Sequence, residues 1–389
     1  MNPLYRKVFA GIKRAAADLG ADVYLVGGAV RDFVRKAPSE DLDFVIFKEN
    51  YLSFARRIAK DIKRPVVSFK DNARIPYRDG YIDISAPRGA CIEDDLKKRD
   101  FTINNLAMNM NGDVIGDSAD ILKGVIRPVY ENLFIDDPLR ILRGFRHAAT
   151  LKYALSNEFF ALAAPSAPKL VKIAGERISE ELKKLSAAEF DIKIYSSMDK
   201  LDVWTHIFGF APQPILLQKV MGKASSYGEK NGFELLLAAL LAGNEANINA
   251  LLKRLRISNN SAQLVKTLLY HSASLLSANQ NEIKKVIWNQ KDKFKLLLYY
   301  AQARYGLPDK DITKHLSLAD SIDRKHADAI SGNSLLRLIK RDAPSAENGR
   351  WIAELLEETK INLAFGALKD RREAEAYMSQ KIKDLHGGR

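Results

Sequence analysis

In the run EDLDFVIF, Asp41 and Asp43 stand two residues apart among apolar neighbours that read as a strand, so both carboxylates project from one face. Two carboxylates placed this way can share divalent cations, and hard oxygen donors suit Mg2+. About a dozen residues upstream, LVGGAVRD (Leu25–Asp32) runs a strand into Gly27 and Gly28, and then into a helix with Arg31 on its first turns. Glycines at such a junction let backbone N–H groups approach a phosphate, and the start of a helix adds a favourable partial charge. The GxxxxGK[ST] spacing of a Walker loop is absent. Taken singly, the acids could be solvated surface carboxylates and the glycines a tight turn. Together they suit two-metal phosphoryl transfer, one metal activating an attacking hydroxyl and the other holding a triphosphate and its leaving pyrophosphate. Asp83, in YIDIS, is a candidate third acid facing the pair from another strand; a structural acid is the equal alternative.

The elements that must position these residues read as mixed α/β over the first 130 or so positions. Helices are expected at Pro3–Leu19, Ala29–Arg35 and Tyr51–Asp61, and strands at Asp22–Val26, Leu42–Phe47, Pro65–Phe69, Tyr81–Ser85 and Asp113–Asp117, by apolar periodicity and flanking turn residues. This is a small sheet backed by helices. From about Asp136 onward the pattern changes to amphipathic helices, broken at Ala164–Pro168, Gly222–Gly228, Ser258–Asn260 and Ala343–Gly349, and strand signals nearly vanish. No fixed-period repeat is visible. The fold class is α+β, a catalytic head followed by an elongated helical body.

Composition agrees with a phosphate-rich partner. Among 389 residues, 61 are Lys or Arg and 48 Asp or Glu, a net charge of +13; by itself this also fits a generally basic protein. The single cysteine, Cys91, makes no internal disulfide or Cys/His metal site, which points to a reducing compartment and the cytoplasm. The charged, amphipathic N-terminus argues against a signal peptide. No apolar stretch reaches the roughly 18 residues of a membrane span.

GGxVRD followed by DxD resembles the head domain of class II tRNA nucleotidyltransferases and bacterial poly(A) polymerases, within the DNA polymerase β superfamily. Further segments extend the likeness. EDDLKKRDFTINNLAMN (Glu93–Asn109) is similar to the signature RRDFTINA, with Lys98 in place of the first arginine and with Arg99, Asp100 and Asn104 in register. KGVIRPV (Lys123–Val129) resembles the segment joining head to neck, with Arg127 at its basic position. DDPLRILRGFRHAATL (Asp136–Leu151) resembles the nucleotide-selecting EDxxR, with Asp136 replacing Glu, and GERISEEL (Gly175–Leu182) resembles ERIxxEL.

The resemblance implies a polymerase-β-like nucleotidyltransferase head over residues 1–130, a nucleotide-selecting helical neck over 131–190, and a tRNA-binding helical body and tail over 191–389. The activity implied is template-independent addition of CMP or AMP to the tRNA 3′ end, with two Mg2+ ions, CTP and ATP as substrates, and no obligate protein partner. Gly27, Gly28, Arg31 and Arg99 would hold phosphates, and Asp100 would meet the ribose or nearby backbone. Asp137 and Arg140, three apart on a helix and so on one face, would present acceptor and donor groups to the Watson–Crick edge of C or A. Arg143 and Arg146 continue the stripe and would steady the nucleotide or the incoming 3′ end. Glu176 and Arg177 would buttress the selecting helix.

Two departures bear on subtype. Only nine residues, Ile84–Ile92, separate Asp83 from Glu93, where many full CCA-adding members have a flexible loop of a dozen or more; the shortening resembles members that stop after CC. Addition of CC, of complete CCA, of A alone or of poly(A) all stay open, as does a catalytically silent RNA-binding protein. In FELLLAALLAG (Phe233–Gly243), positions that carry a His-Asp pair in some relatives read Ala-Gly, so no second, hydrolytic metal site is expected. Lys253, Arg254, Arg256, Arg337, Lys340 and Arg341 are expected to offer RNA a phosphate-binding surface.

Overall fold

The computed structural model describes residues 3–39, 41–77, 80–222, 231–344, 346 and 349–386. The expected break at Gly222–Gly228 lies, beyond Gly222, outside the described residues, as does part of Ala343–Gly349. The chain forms two units, Met1–Pro214 with Asn249–Ile257, and Ile215–Ile248 with Ser258–Arg389.

The first unit opens with helix α1 (Pro3–Leu19), strand β1 (Asp22–Val26), helix α2 (Gly28–Val34), strand β2 (Leu42–Phe47) and helix α3 (Tyr51–Ile62). Strands β3 (Val67–Ser68), β4 (Asn72–Tyr77) and β5 (Gly80–Ser85) follow, then helix α4 (Ile92–Leu96) and strands β6 (Ala107–Asn109) and β7 (Val114–Ile115). They make one mixed sheet in the order β3-β4-β5-β2-β1-β6-β7, in which β2 and β5 run parallel and the other neighbours antiparallel. Alternation in β2 sends Phe44 to one face, where it meets Phe9 with ring centroids 5.6 Å apart. Val45 and Phe47 go to the other face, joining Val26, Ile92, Leu96 and Ala107 in a buried cluster. Asp43 shares that second face. Helix α4 therefore covers one end of the face and the acids occupy the other.

Strands β4 and β6 were not expected. Pro76 in β4 lacks an N–H, but the neighbouring β3 pairs only with Ala73 and Arg74, so the missing donor falls where no ladder needs it. Strand β6 is too short to show a period of two.

Helices α5 (Ala119–Lys123), α6 (Leu133–Asp136), α7 (Arg140–Leu151), α8 (Asn157–Ala163), α9 (Gly175–Ser186), α10 (Ile192–Asp199) and α11 (Val203–Phe208) continue the unit. Two very short strands, β8 (Val125–Ile126) and β9 (Ala154–Leu155), pair in parallel, so extended structure does recur past Asp136. Phe101 joins Phe134, Phe145 and Phe159 in an aromatic cluster, which anchors the segment after Arg99–Asp100 against α7. Gly144 permits this approach, since a Cβ there would sit 2.7 Å from Phe159 Cζ and nearer still to its Cε2.

The second unit is helical. The helix Gly232–Leu241 is buried along Leu235–Leu241, and Tyr300 Oη donates to the Ala238 carbonyl at 2.9 Å. Leu335, Leu338, Leu355, Leu363, Ala374, Met378 and Ile382, from the three C-terminal helices, form a further core. Among the described residues, no single helix is long and apolar enough to cross a membrane.

Candidate active site

The sheet register brings the acids together. Asp43 lies opposite Val26 on one side and Asp83 on the other, which sets the end of the glycine-turn strand, Asp43 and Asp83 on adjacent strands. Asp41 precedes β2, and its Oδ1 accepts the Tyr81 N–H at 3.0 Å. Asp83 is clamped by Arg74, whose Nε and Nη2 donate to its two oxygens at 2.8 and 2.6 Å. Burial, then repulsion from Asp83 and Asp41, outweighs attraction by Arg99 and Arg74 and raises the Asp43 pKa from 3.8 to about 6. A carboxylate held in this way has uncompensated negative surroundings, the condition a bound cation relieves. Two carboxylates supply hard oxygens and leave room for water and phosphate oxygens, which fits Mg2+. Among the described residues no group of three or more His, Cys, Asp or Glu side chains is arranged as a metal site, and Arg74 pairs with the third acid in register, Asp83.

The glycine turn lies beside this pair. Gly27 has φ 69° and ψ −132°, a conformation that only glycine adopts readily. A Cβ on it would lie 3.2 Å from Arg99 Nη1 and 3.9 Å from Asp43 Oδ2. Arg99 is aimed there by Asp95, which is buried and accepts from Arg99 Nε and Nη2 at 3.1 and 2.7 Å. Arg31 folds over Gly28, with Nη2 3.5 Å from where a Cβ would stand. Its Nε and Nη2 donate to Asp32, both at 2.9 Å, and Nη1 to Asn104 Oδ1 at 2.9 Å. Two guanidinium groups thus flank the turn, Arg99 directed towards Asp43 and Arg31 tied into the protein.

The segment around Asp137 departs from expectation. Asp137 is not on a helix with Arg140: α6 stops at Asp136, and Asp137 is extended at φ −149° and ψ 99°, as the residue before Pro138 must be. Its Oδ2 accepts from Arg177 Nη2 at 2.7 Å, while Arg140 Nη1 donates to Tyr130 Oη at 2.5 Å. The buttress from α9 therefore acts on Asp137 directly. Arg143 pairs with Asp100 at 2.8 Å and Arg146 with Glu181 at 2.6 Å. Arg146, 16% exposed, braces α7 against α9, where a nucleotide-facing side chain had been expected. Burial works against ionised Asp100, but Arg143, then His147 and hydrogen bonds from Asn104 and the Phe101 N–H, prevail and hold its carboxyl below the ordinary range. Asp100 is buried and joins two segments of the unit through Arg143.

A cleft of about 630 Å³ is lined by Arg88, Lys97, Lys98, Tyr130, Asp136 and Arg140. The short loop that carries Arg88 is tied down: Arg88 N–H donates to Asp95 Oδ1 at 3.0 Å, and Lys98 Nζ donates to the Arg88 carbonyl. Sequence reasoning passed over Arg74, Asp95, Tyr130 and His147. Only Asp95 left a signal, four residues before Arg99 on a short acidic helix. Of the basic residues expected to meet RNA, Lys253, Arg256, Arg337 and Lys340 are exposed. Arg254 donates to the carbonyls of Ile207 and Val171, and Arg341 is paired with Asp342.

Residues 23–127, which carry the sheet, the glycine turn, both arginines and the carboxylates, match the Poly A polymerase head domain. The chain is thereby a nucleotidyltransferase. It is 28% identical over 386 residues to the CCA-adding enzyme of Streptococcus sanguinis strain SK36, covering 93% of this chain and 94% of that protein. The structure of a CCA-adding enzyme with CTP superposes with a TM-score of 0.77 at 22% identity, over 98% of this chain and 96% of the other. The Thermotoga maritima CCA-adding enzyme complexed with tRNA gives 0.72 at 21%, over 98% and 96%. The chain thus resembles the poly(A) polymerase head domain over residues 23–127 and CCA-adding enzymes over most of its length.

Proposed function

We propose that this chain adds CMP and AMP to the 3′ end of tRNA, from CTP and ATP, with release of pyrophosphate. The observation that carries the reading is the adjacency of Asp43 and Arg99 at Gly27, which sets a cation-binding carboxylate beside a phosphate-binding guanidinium. The family relatives and superposed CCA-adding enzymes support tRNA as acceptor and CTP and ATP as donors. The roles divide between a head over residues 1–130, a neck over 131–190 and a body over 191–389, and the lone Cys91 supports a cytoplasmic setting.

Asp41 and Asp43 would hold Mg2+, which supplies a more acidic 3′-hydroxyl and neutralises charge on the pyrophosphate. Arg99, braced by Asp95, grips triphosphate oxygens through Nη1, and the N–H groups that open α2 add donors without intrahelical acceptors. Gly27 keeps the space between Arg99 and Asp43 open. Asp83, clamped by Arg74, keeps negative charge beside Asp43 and orients β5. Asp137 offers an acceptor and Arg140 donors to the base, each held from behind by Arg177 or Tyr130; discrimination then comes from polar groups that a wrong base leaves unpaired.

A second reading, addition that stops after CC, is favoured by the tethering of the short Ile84–Ile92 loop to Asp95 and Lys98, which opposes the loop movement that a change from C to A would use. Asp41→Asn tests the common core of both readings. Incorporation should cease while tRNA binding persists. A variant that still adds nucleotides removes Asp41 from the chemistry.

A further inference from the structure

Behind the glycine turn lies a buried polar chain that the reaction as described does not use. Asn104, His147 and Glu181 are all buried. Arg31 Nη1 donates to Asn104 Oδ1 at 2.9 Å, so the Asn104 amide nitrogen points the other way, 3.3 Å from Asp100 Oδ1 and 3.3 Å from His147 Nε2. The same Nε2 lies 3.2 Å from Arg146 Nη2, and Arg146 Nε continues to Glu181 at 2.6 Å.

The donors along this chain determine where the imidazole proton sits. An amide NH2 and a guanidinium can only donate. His147 Nε2 meets one of each, so it must carry a lone pair, and the proton belongs on Nδ1. An imidazolium would turn three donors against one another.

Asp100 and Asn104 are four residues apart, as are Arg143 and His147 on α7, and they meet as two rungs, Asp100 with Arg143 and Asn104 with His147. Changing either spacing would break a rung, so the ladder sets the position of α7 along the segment that begins at Arg99. Helix α7 starts with Arg140, and its brace to α9 leads to Arg177 and Asp137. A buried apolar pair could hold two elements together without the desolvation cost of these groups, so what they contribute is a defined geometry.

We propose that His147 is a positioning residue for the nucleotide site: as a neutral, Nδ1-protonated imidazole accepting at Nε2 from Asn104 and Arg146, it holds α7 in the register that presents Arg140 and Asp137 to the base opposite the phosphate grip of Arg99. Burial, then the Arg146 guanidinium, holds the His147 imidazole well below its usual range against the pull of Asp100, with Arg31 and Arg143 adding to the depression, in keeping with the neutral form.

The test separates the acceptor from the ring. His147→Phe preserves the flat ring that packs edge-on against Phe101 at 5.9 Å and removes the acceptor, whereas His147→Gln removes the ring and keeps a carbonyl acceptor. With tRNA transcripts, His147→Phe should lose about tenfold in kcat/KM for CTP, mainly through KM, because Asn104 and the half-buried Arg146 each lose an acceptor. Its preference for CTP over UTP should fall, while His147→Gln stays within about threefold of wild type. Equal losses in both variants, no loss in either, or rescue by Phe and not Gln would overturn the proposal.

These kinetics rest on the nucleotide-addition reading, so a second measurement stands apart from activity. Selective 15N-histidine labelling of wild type, with the His147 signal assigned by its loss in His147→Gln, should show an unprotonated Nε2 and a protonated Nδ1 near neutral pH. An imidazolium or the Nε2–H tautomer overturns the proposal even if the wild-type chain adds no nucleotide. Absence of incorporation together with the expected tautomer would count against the nucleotide-addition reading alone.

Discussion

Replacing Asp43 with asparagine removes one negative charge from a crowded group while keeping its shape. A folded-state pKa of about 6 in place of 3.8 corresponds to about 3 kcal/mol against the ionised carboxylate. Asp43 keeps partial contact with solvent, which lowers the figure to roughly 1–2 kcal/mol. The sign follows from linkage: a raised folded pKa contributes stability that is fully present below 3.8 and lost as pH rises through about 6. Near neutral pH the wild type therefore carries the whole penalty and Asp43→Asn carries none. The variant should melt roughly 2–5 °C higher at about pH 7.5, with the gain shrinking towards about pH 4. Nucleotide addition should be abolished. MgCl2 should raise the wild-type melting temperature, because a cation offsets the repulsion, and leave Asp43→Asn nearly unmoved. Thermal unfolding of both proteins, with and without MgCl2 at both pH values, reads all of this. A variant less stable than wild type near neutral pH, or Mg2+ stabilising both equally, would refute the reasoning.

Gly144→Ala would drive a methyl group into Phe159, whose Cζ lies 2.7 Å from the Cβ position, and should cost about 1–3 kcal/mol or more by overpacking; an unchanged melting temperature would contradict the aromatic cluster as described. Asp95→Asn weakens the brace on Arg99 and should raise KM for CTP roughly tenfold with little change in tRNA affinity, measured by steady-state kinetics and by tRNA titration. Asp137→Ala should lose discrimination among C, A, G and U by about tenfold or more, with Arg177→Ala a milder version of the same defect; unchanged selectivity would move base reading to other residues.

Much of the head was legible because periodicity and chemistry coincide there. Helix α1 and strands β1 and β2 fall where their apolar spacing puts them, and the glycine turn falls between them. Strand β4 was hidden by Pro76, and the place of Asp137 by a three-residue spacing that looks helical until Pro138 ends the preceding helix. The partners of the arginines were out of reach for another reason. Asp100 lies 43 positions from Arg143 and Asn104 lies 43 from His147, and no local pattern records pairings made by packing. A lone histidine on the apolar side of a helix carries no signal of its own. Its role became visible only when both neighbours of its Nε2 proved to be donors.

Incorporation of labelled CTP and ATP, separately and together with MgCl2, into tRNA transcripts ending at the discriminator base, after C and after CC tests the central claim most directly. The account predicts CTP-dependent extension of the first two acceptors, with ATP used on the third if addition runs to CCA and refused if it halts at CC. No incorporation into any of the three, from protein that binds them, would contradict it.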